Sequence, residues 1–208
     1  MKTGIRLESD VRPVAPCALD DINAVLAPIG ARIWHHDWSG LSVELKAFAA
    51  DPCPSPERAA EVLPHFLLSR ERMLEIIAAA GREPHVAGGG ELTTVNETFG
   101  AKYPQLYVAR EGEDYSRFDR LHVNVAADGT PVDNVLQLLS GSGLLVVFRM
   151  PSGGIEKLSL CCPAEDSGWL LTLDCAHPFI GTLSSALVGT KVISQAIGPA
   201  RWRMEHLD

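Results

Sequence analysis

Residues 118–148, FDRLHVNVAADGTPVDNVLQLLSGSGLLVVF, decide how the rest of the chain is read. The apolar blocks are too short for helices, and turn residues separate them. His122 and Asn124 alternate along the first block, so on a strand both face one side. Residues 126–131, AADGTP, form a polar turn whose Asp-Gly pair signals a hairpin. Residues 135–139 are the second strand, Ser140-Gly141-Ser142-Gly143 breaks it, and 144–148 are the third. An inward polar pair at the start of an apolar sandwich is a place for a ligand or a metal.

Working outward towards the C-terminus, short strands recur at 121–125, 135–139, 144–149, 155–160, 169–173, 179–183 and 192–197. Closely spaced strands with such turns indicate a sandwich or barrel, not alternating β-α units. Gly141-Ser142-Gly143 precedes a strand, so it is not a dinucleotide fingerprint.

Towards the N-terminus the pattern becomes helical. Ile22, Val25, Leu26 and Ile29 share one helix face, with Asp20 or Asp21 as the cap and Gly30 as the stop. Residues 41–50 read as a weak helix. Ser55-Pro56 starts another, and Ser69 caps a third whose stripe is Met73, Ile76, Ile77 and Ala80. Residues 11–16 read as extended, 31–34 as a strand, and 91–96 and 105–110 as strand-like. His35-His36-Asp37 cannot converge on one ion from a strand, because neighbours point to opposite faces. Gly88-Gly89-Gly90 reads as a turn or lid hinge. The expected chain is mainly β with N-terminal helices (α+β): a helical region over 1–90 packed on a β-barrel over 91–208.

The formal net charge of −8 argues against a nucleic-acid or anionic-membrane surface. The opening MKTGIRLESDVRP lacks a signal-peptide core, and no apolar run reaches membrane-spanning length, so a soluble cytoplasmic protein is expected. The cysteines, 17, 53, 161, 162 and 175, are an odd set without CxxC spacing and read as reduced thiols.

Three stretches carry a family likeness. NVLQLLSGSG at 134–143 resembles a strand that follows a metal motif and ends in a Gly-x-Gly turn. GWLLTL at 168–173, leading to His177, resembles the segment before a last metal histidine. Residues 192–202 resemble a closing strand, with Trp202 at a matching aromatic. Together, over roughly 103–202, they resemble the acireductone dioxygenases of the cupin superfamily, a jelly-roll β-barrel architecture. The family motif is Glu-His-x-His followed closely by Asp-Glu. Here His122 stands at the first histidine, Asn124 at the second, Asn134 (just after Asp133) at the glutamate, and His177 at the last histidine. The intervening stretch is longer than the family's, and neutral amides replace two of the four ligands.

The resemblance implies one divalent metal (iron, nickel, manganese or zinc) on His122 and His177, with Asn124 and either Asp133 or Asn134 completing the shell. Strand alternation sets Asp133 opposite Asn134 unless a bulge intervenes. Two functions stay open. One is a metal-dependent oxygenase or isomerase of a small polar metabolite, whose metal polarises a substrate oxygen or activates dioxygen. The other is a non-catalytic cupin-fold protein with a decayed metal site that binds a small molecule or dimerises. Tyr103, Tyr107, Trp169 and Trp202 are the candidates for the pocket wall. Open sandwich edges often pair, which makes a homodimer one expectation.

Overall fold

The computed structural model describes residues 4–11, 18–162, 167–184 and 186–207. The extended reading of 11–16 and Cys17 lie, apart from Val11, outside the described residues. Among the described residues there are thirteen strands and four α-helices. One sheet has eight strands, in the order β1 (Ile5–Ser9), β9 (Ile155–Leu160), β8 (Leu144–Arg149), β11 (Phe179–Leu183), β6 (His122–Val125), β13 (Arg201–His206), β3 (Thr94–Asn96) and β4 (Ala101–Tyr103). The other has five: β2 (Arg32–Asp37), β10 (Ser167–Asp174), β7 (Asp133–Ser140), β12 (Lys191–Ile197) and β5 (Gln105–Val108). The pairings given are antiparallel except that of β13 with β3. The chain is mainly β with a few helices, as expected, and each sheet ends on edge strands, so the two sheets are not closed into a barrel.

The turn at 126–131 does form, closed by Gly129 N–H to the Ala126 carbonyl (3.0 Å) with Gly129 at φ +85°. The hairpin expected from Asp-Gly forms but is short: Val125 pairs antiparallel with Pro131, Ala126 N–H donates to the Thr130 carbonyl (2.8 Å) and Val132 N–H to the Asn124 carbonyl (3.0 Å). β6 stays in the larger sheet, while β7 crosses to lie between β10 and β12. The physical reason is the composition of β7. DNVLQLLS carries apolar residues on both faces, and all but its last residue are buried. Such a strand needs cover on both sides, and the middle of the smaller sheet supplies it.

That cover comes from the N-terminal helices. Leu136, Leu138, Leu171, Leu173 and Val192 face the interior between the sheets. Outward-facing Val135, Leu170 and Ile197 pack on Met73, Ile76 and Ile77 of α4 (Arg70–Ala79). Leu139 and Ile193 pack on Trp38, Phe48, Val62 and Phe66, the middle two from α2 (Val43–Ala50) and α3 (Pro56–Val62). Ser42, Ser55 and Ser69 cap α2, α3 and α4 by accepting backbone N–H bonds. The first helix, α1 (Leu19–Leu26), carries no side-chain cap bond, and Asp20 and Asp21 sit inside its first turn rather than at the cap. Gln195 clasps the backbone of Leu68 in both directions, at 2.9 and 2.8 Å. Lys191, fully buried, donates to the Ala49 carbonyl at the C-terminal end of α2 (3.0 Å) and to Gly189 and Ser140. Burial lowers its pKa to about 8.

Candidate functional site

The interior between the sheets holds a cavity of about 60 Å3. One water needs roughly 10–15 Å3 of such space, so this is room for about four or five waters. Its wall includes His122 and Asn124 from β6, Asn134 and Leu136 from β7, Phe179 from β11, Ser194 from β12, Trp202 and Met204 from β13, and Tyr103 and Tyr107. Tyr115 and Phe118 reach it from the loop between β5 and β6. Alternation along β6 places His122 and Asn124 side by side on the inward face.

His122 is 2% exposed. Its Nδ1 lies 2.8 Å from the Arg120 carbonyl. A carbonyl only accepts, so Nδ1 carries the proton and Nε2 keeps a bare lone pair. No partner for Nε2 occurs among the described residues. Burial lowers the pKa to about 4, the Arg120 carbonyl opposing and His206 adding to the depression. The ring packs against Phe179, centroids 4.5 Å apart. His122 is thus a neutral acceptor at pH 7.

Asn124 is 3% exposed. Its Nδ2 makes a weak contact with Cys175 Sγ at 3.8 Å. Its Oδ1 is buried and has no hydrogen-bond partner. Such an acceptor costs on the order of 1–3 kcal/mol and calls for an explanation. Asn134 differs, because its Oδ1 already accepts from Ser194 Oγ at 3.2 Å. Tyr103 and Tyr107 satisfy each other through hydroxyls 2.8 Å apart. Burial raises both tyrosine pKa values, so both stay protonated. Trp202 donates from Nε1 to Thr94 Oγ1 at 3.0 Å and lies against Tyr103.

Three expected site residues lie elsewhere. Asp133 is fully buried on the other face of β7, as alternation demands. There it pairs with Arg82 and accepts the His85 backbone N–H at 3.1 Å. His177 sits in the turn after β10, half-buried, and is not on the cavity wall. Trp169 is core: its Nε1 donates to the Cys161 carbonyl at 2.8 Å. Conversely, Tyr115, Phe118, Phe179, Ser194 and Met204 line the cavity although the sequence reading did not single them out. Phe179, Ser194 and Met204 follow from period-2 alternation once the sheet is known. Tyr115 and Phe118 come from a loop and carry no periodic signal.

A metal site of the implied type is built from imidazoles and a carboxylate. The wall offers one imidazole and two amides, one amide oxygen already bonded. No group of three or more His, Cys, Asp or Glu side chains able to hold a metal occurs among the described residues. This donor set does not fit a resident divalent ion. The described cysteines 53, 161, 162 and 175 are free.

No protein-family model and no curated protein sequence matches the chain. A solved acireductone dioxygenase from Bacillus anthracis, with a cadmium ion in its active centre, superposes with a TM-score of 0.55 at 13% identity, covering 92% of this chain and 91% of that one. The fold is cupin-like. At that identity the likeness speaks for the fold and not for an activity. No described helix is long and apolar enough to cross a membrane.

Proposed function

We propose that this cupin-like protein takes a small molecule into the cavity between its sheets, with His122 and Asn124 as the groups that meet it. The observation that carries this reading is Asn124, a cavity-lining side chain whose Oδ1 is buried without a hydrogen-bond partner, on the same strand and the same wall as the neutral imidazole of His122. A fold that leaves polar groups unmet around a cavity of several waters is arranged for a guest that supplies their partners. The metal-dependent oxygenase or isomerase is the second reading. What favours it is the overall likeness to a metal-bearing dioxygenase. What it lacks is a carboxylate and a second imidazole at the cavity.

Two measurements on the untagged protein test these readings. Met204 lines the cavity, so its 13C-methyl resonance should shift with members of a library of small metabolites, and the shifts should vanish in Ser194→Phe, which fills the space. A library that leaves Met204 unmoved would sink the binding reading. Elemental mass spectrometry should find metal well below one equivalent, unchanged in His122→Ala. Near-stoichiometric iron, nickel, manganese or zinc that His122→Ala loses would instead establish the metalloenzyme.

A further inference from the structure

The sheets are not closed into a barrel, so something other than strand pairing must shut the interior at its open sides. On one side the loop 110–120 does this. It leaves β5, an edge strand of the smaller sheet, and returns as β6 of the larger. Residues 111–114, 116, 117 and 119 are exposed, whereas Tyr115 is 7% exposed and Phe118 is half-buried. Tyr115 and Phe118 are the loop residues that line the interior cavity.

Tyr115 is a wall shared by three spaces. Behind it lies the interior cavity of about 60 Å3. In front runs a groove of about 320 Å3, bordered by Tyr107 and by the exposed side chains of Glu113 and Arg117. A cleft of about 300 Å3 also shares Tyr115, together with Thr182 and Leu183. Tyr107, Thr182 and Leu183 line the interior too, so the wall there is one side chain thick. A tyrosine ring that swings outward enters space that is already empty and displaces no core.

The loop is lightly held. Its backbone hydrogen bonds run from Glu113 N–H to Arg110 (3.3 Å), Phe118 to Tyr115 (3.0 Å) and Asp119 to Ser116 (2.9 Å), and all close within it. Segments without ladder bonds to their neighbours open at low cost. Side chains do the fastening. Phe118 packs edge-on against Tyr107 (5.7 Å) and Phe99 (5.8 Å). The Tyr115 hydroxyl faces both the Val108 carbonyl on β5 and the Glu113 carboxylate. A hydroxyl carries one proton, so the two acceptors compete for it, and the charged one draws it away from the strand. Burial, and then the bond to Glu113, raise the Tyr115 pKa, so the proton stays on the phenol. Gly112 turns the loop at φ +78° with open space where a Cβ would stand.

We infer that residues 110–120 are a lid over the interior cavity, with Tyr115 as its gate and the Tyr115 hydroxyl on the Val108 carbonyl as a latch that Glu113 loosens. This rests on the cavity-binding reading and adds the route by which the guest enters and leaves.

The test follows xenon, which fills apolar cavities without needing a hydrogen-bond partner, in the whole chain. The Met204 methyl shift reports occupancy, and 129Xe saturation transfer reports the exchange rate. Tyr115→Phe removes the latch and keeps the ring, so exchange should quicken about threefold or more. Gly112→Ala strains the closed loop, a strain that an open loop sheds, and should quicken exchange at least about fivefold. Glu113→Gln supplies an amide that donates to the Tyr115 oxygen and frees the phenolic proton for Val108, so exchange should slow about threefold. Xenon affinity should stay within about twofold throughout, because the closed state still dominates. Glu113 and Gly112 are exposed, so their variants decide if Tyr115→Phe fails to fold. A merely structural loop gives no reason for effects of opposite sign. The lid is overturned if xenon shifts Met204 but Glu113→Gln and the other variants do not move exchange in opposite directions; the guest then enters elsewhere. If xenon leaves Met204 unmoved, the cavity-binding reading itself has failed, and the lid with it.

Discussion

His122 is a base held neutral by burial, and that sets how the fold answers acid. An unfolded imidazole titrates near 6.5, whereas burial holds the folded one at about 4. Between those values the unfolded chain binds a proton that the folded chain does not, so stability falls as pH drops through that window. The gap corresponds to roughly 3 kcal/mol. Urea midpoints should decline from pH 7 to pH 4, and in His122→Phe they should decline less by about that amount. Equal decline in both proteins would show that His122 does not carry the acid sensitivity. His85 works in the opposite sense. Its 2.7 Å hydrogen bond to Asp174 raises its pKa against the opposing effect of burial. Its contribution is whole below 6.5 and is lost as pH climbs through the raised value. His85→Gln should therefore flatten the alkaline side of the stability profile while leaving the acid side alone. Alternation alone sufficed to turn His122 and Asn124 inward. The Arg120 carbonyl that selects the His122 tautomer was not legible, because it depends on the backbone path of a loop.

Strand β7 shows where sequence reading held and where it failed. Its existence and its two-faced burial follow from its apolar run, and alternation separates Asp133 from Asn134 as expected. Its destination did not follow. Asp-Gly fixes only the short hairpin in which Val125 pairs with Pro131, whereas β7 beyond it joins the smaller sheet, whose outer face α2, α3 and α4 cover. The likeness to a metal motif drew Asp133 towards the site, but its partner Arg82 lies 51 residues away and no local pattern announces that pairing. Arg82 also donates to the carbonyls of Gly30 (3.0 Å) and Leu173 (3.2 Å), so the pair ties the segment after α4 to both β7 and β10. Removing one member leaves the other charge buried without its partner. Asp133→Asn should cost about 3 kcal/mol in urea unfolding and leave Met204 ligand shifts intact. A variant of wild-type stability that has lost ligand binding would return Asp133 to the site.

At the scale of the molecule, the N-terminal ninety residues do more than pack on the sandwich. They supply β1 to the edge of the larger sheet through five residue pairs with β9, and β2 to the edge of the smaller through six with β10. They also supply the helices that cover the outer face of the smaller sheet, where Val135, Leu139, Leu170, Ile193 and Ile197 are all buried. The helical periodicity was readable because its apolar stripes are local. β1 was not, since it is a short edge strand that gains its meaning only from β9, some 150 residues later. Each uncovered large apolar side chain forfeits about 1.5–3 kcal/mol of burial, and a whole domain has only about 5–15 kcal/mol to lose. Losing cover over five such residues, together with both edge pairings, exceeds that margin. The fragment 91–208 expressed alone should therefore lack near-ultraviolet circular dichroism and aggregate, and the full chain should unfold in one transition seen alike by tryptophan fluorescence and far-ultraviolet circular dichroism. A soluble fragment 91–208 with native near-ultraviolet signal would mean that the sandwich holds its own core and that the helices are an attachment to it.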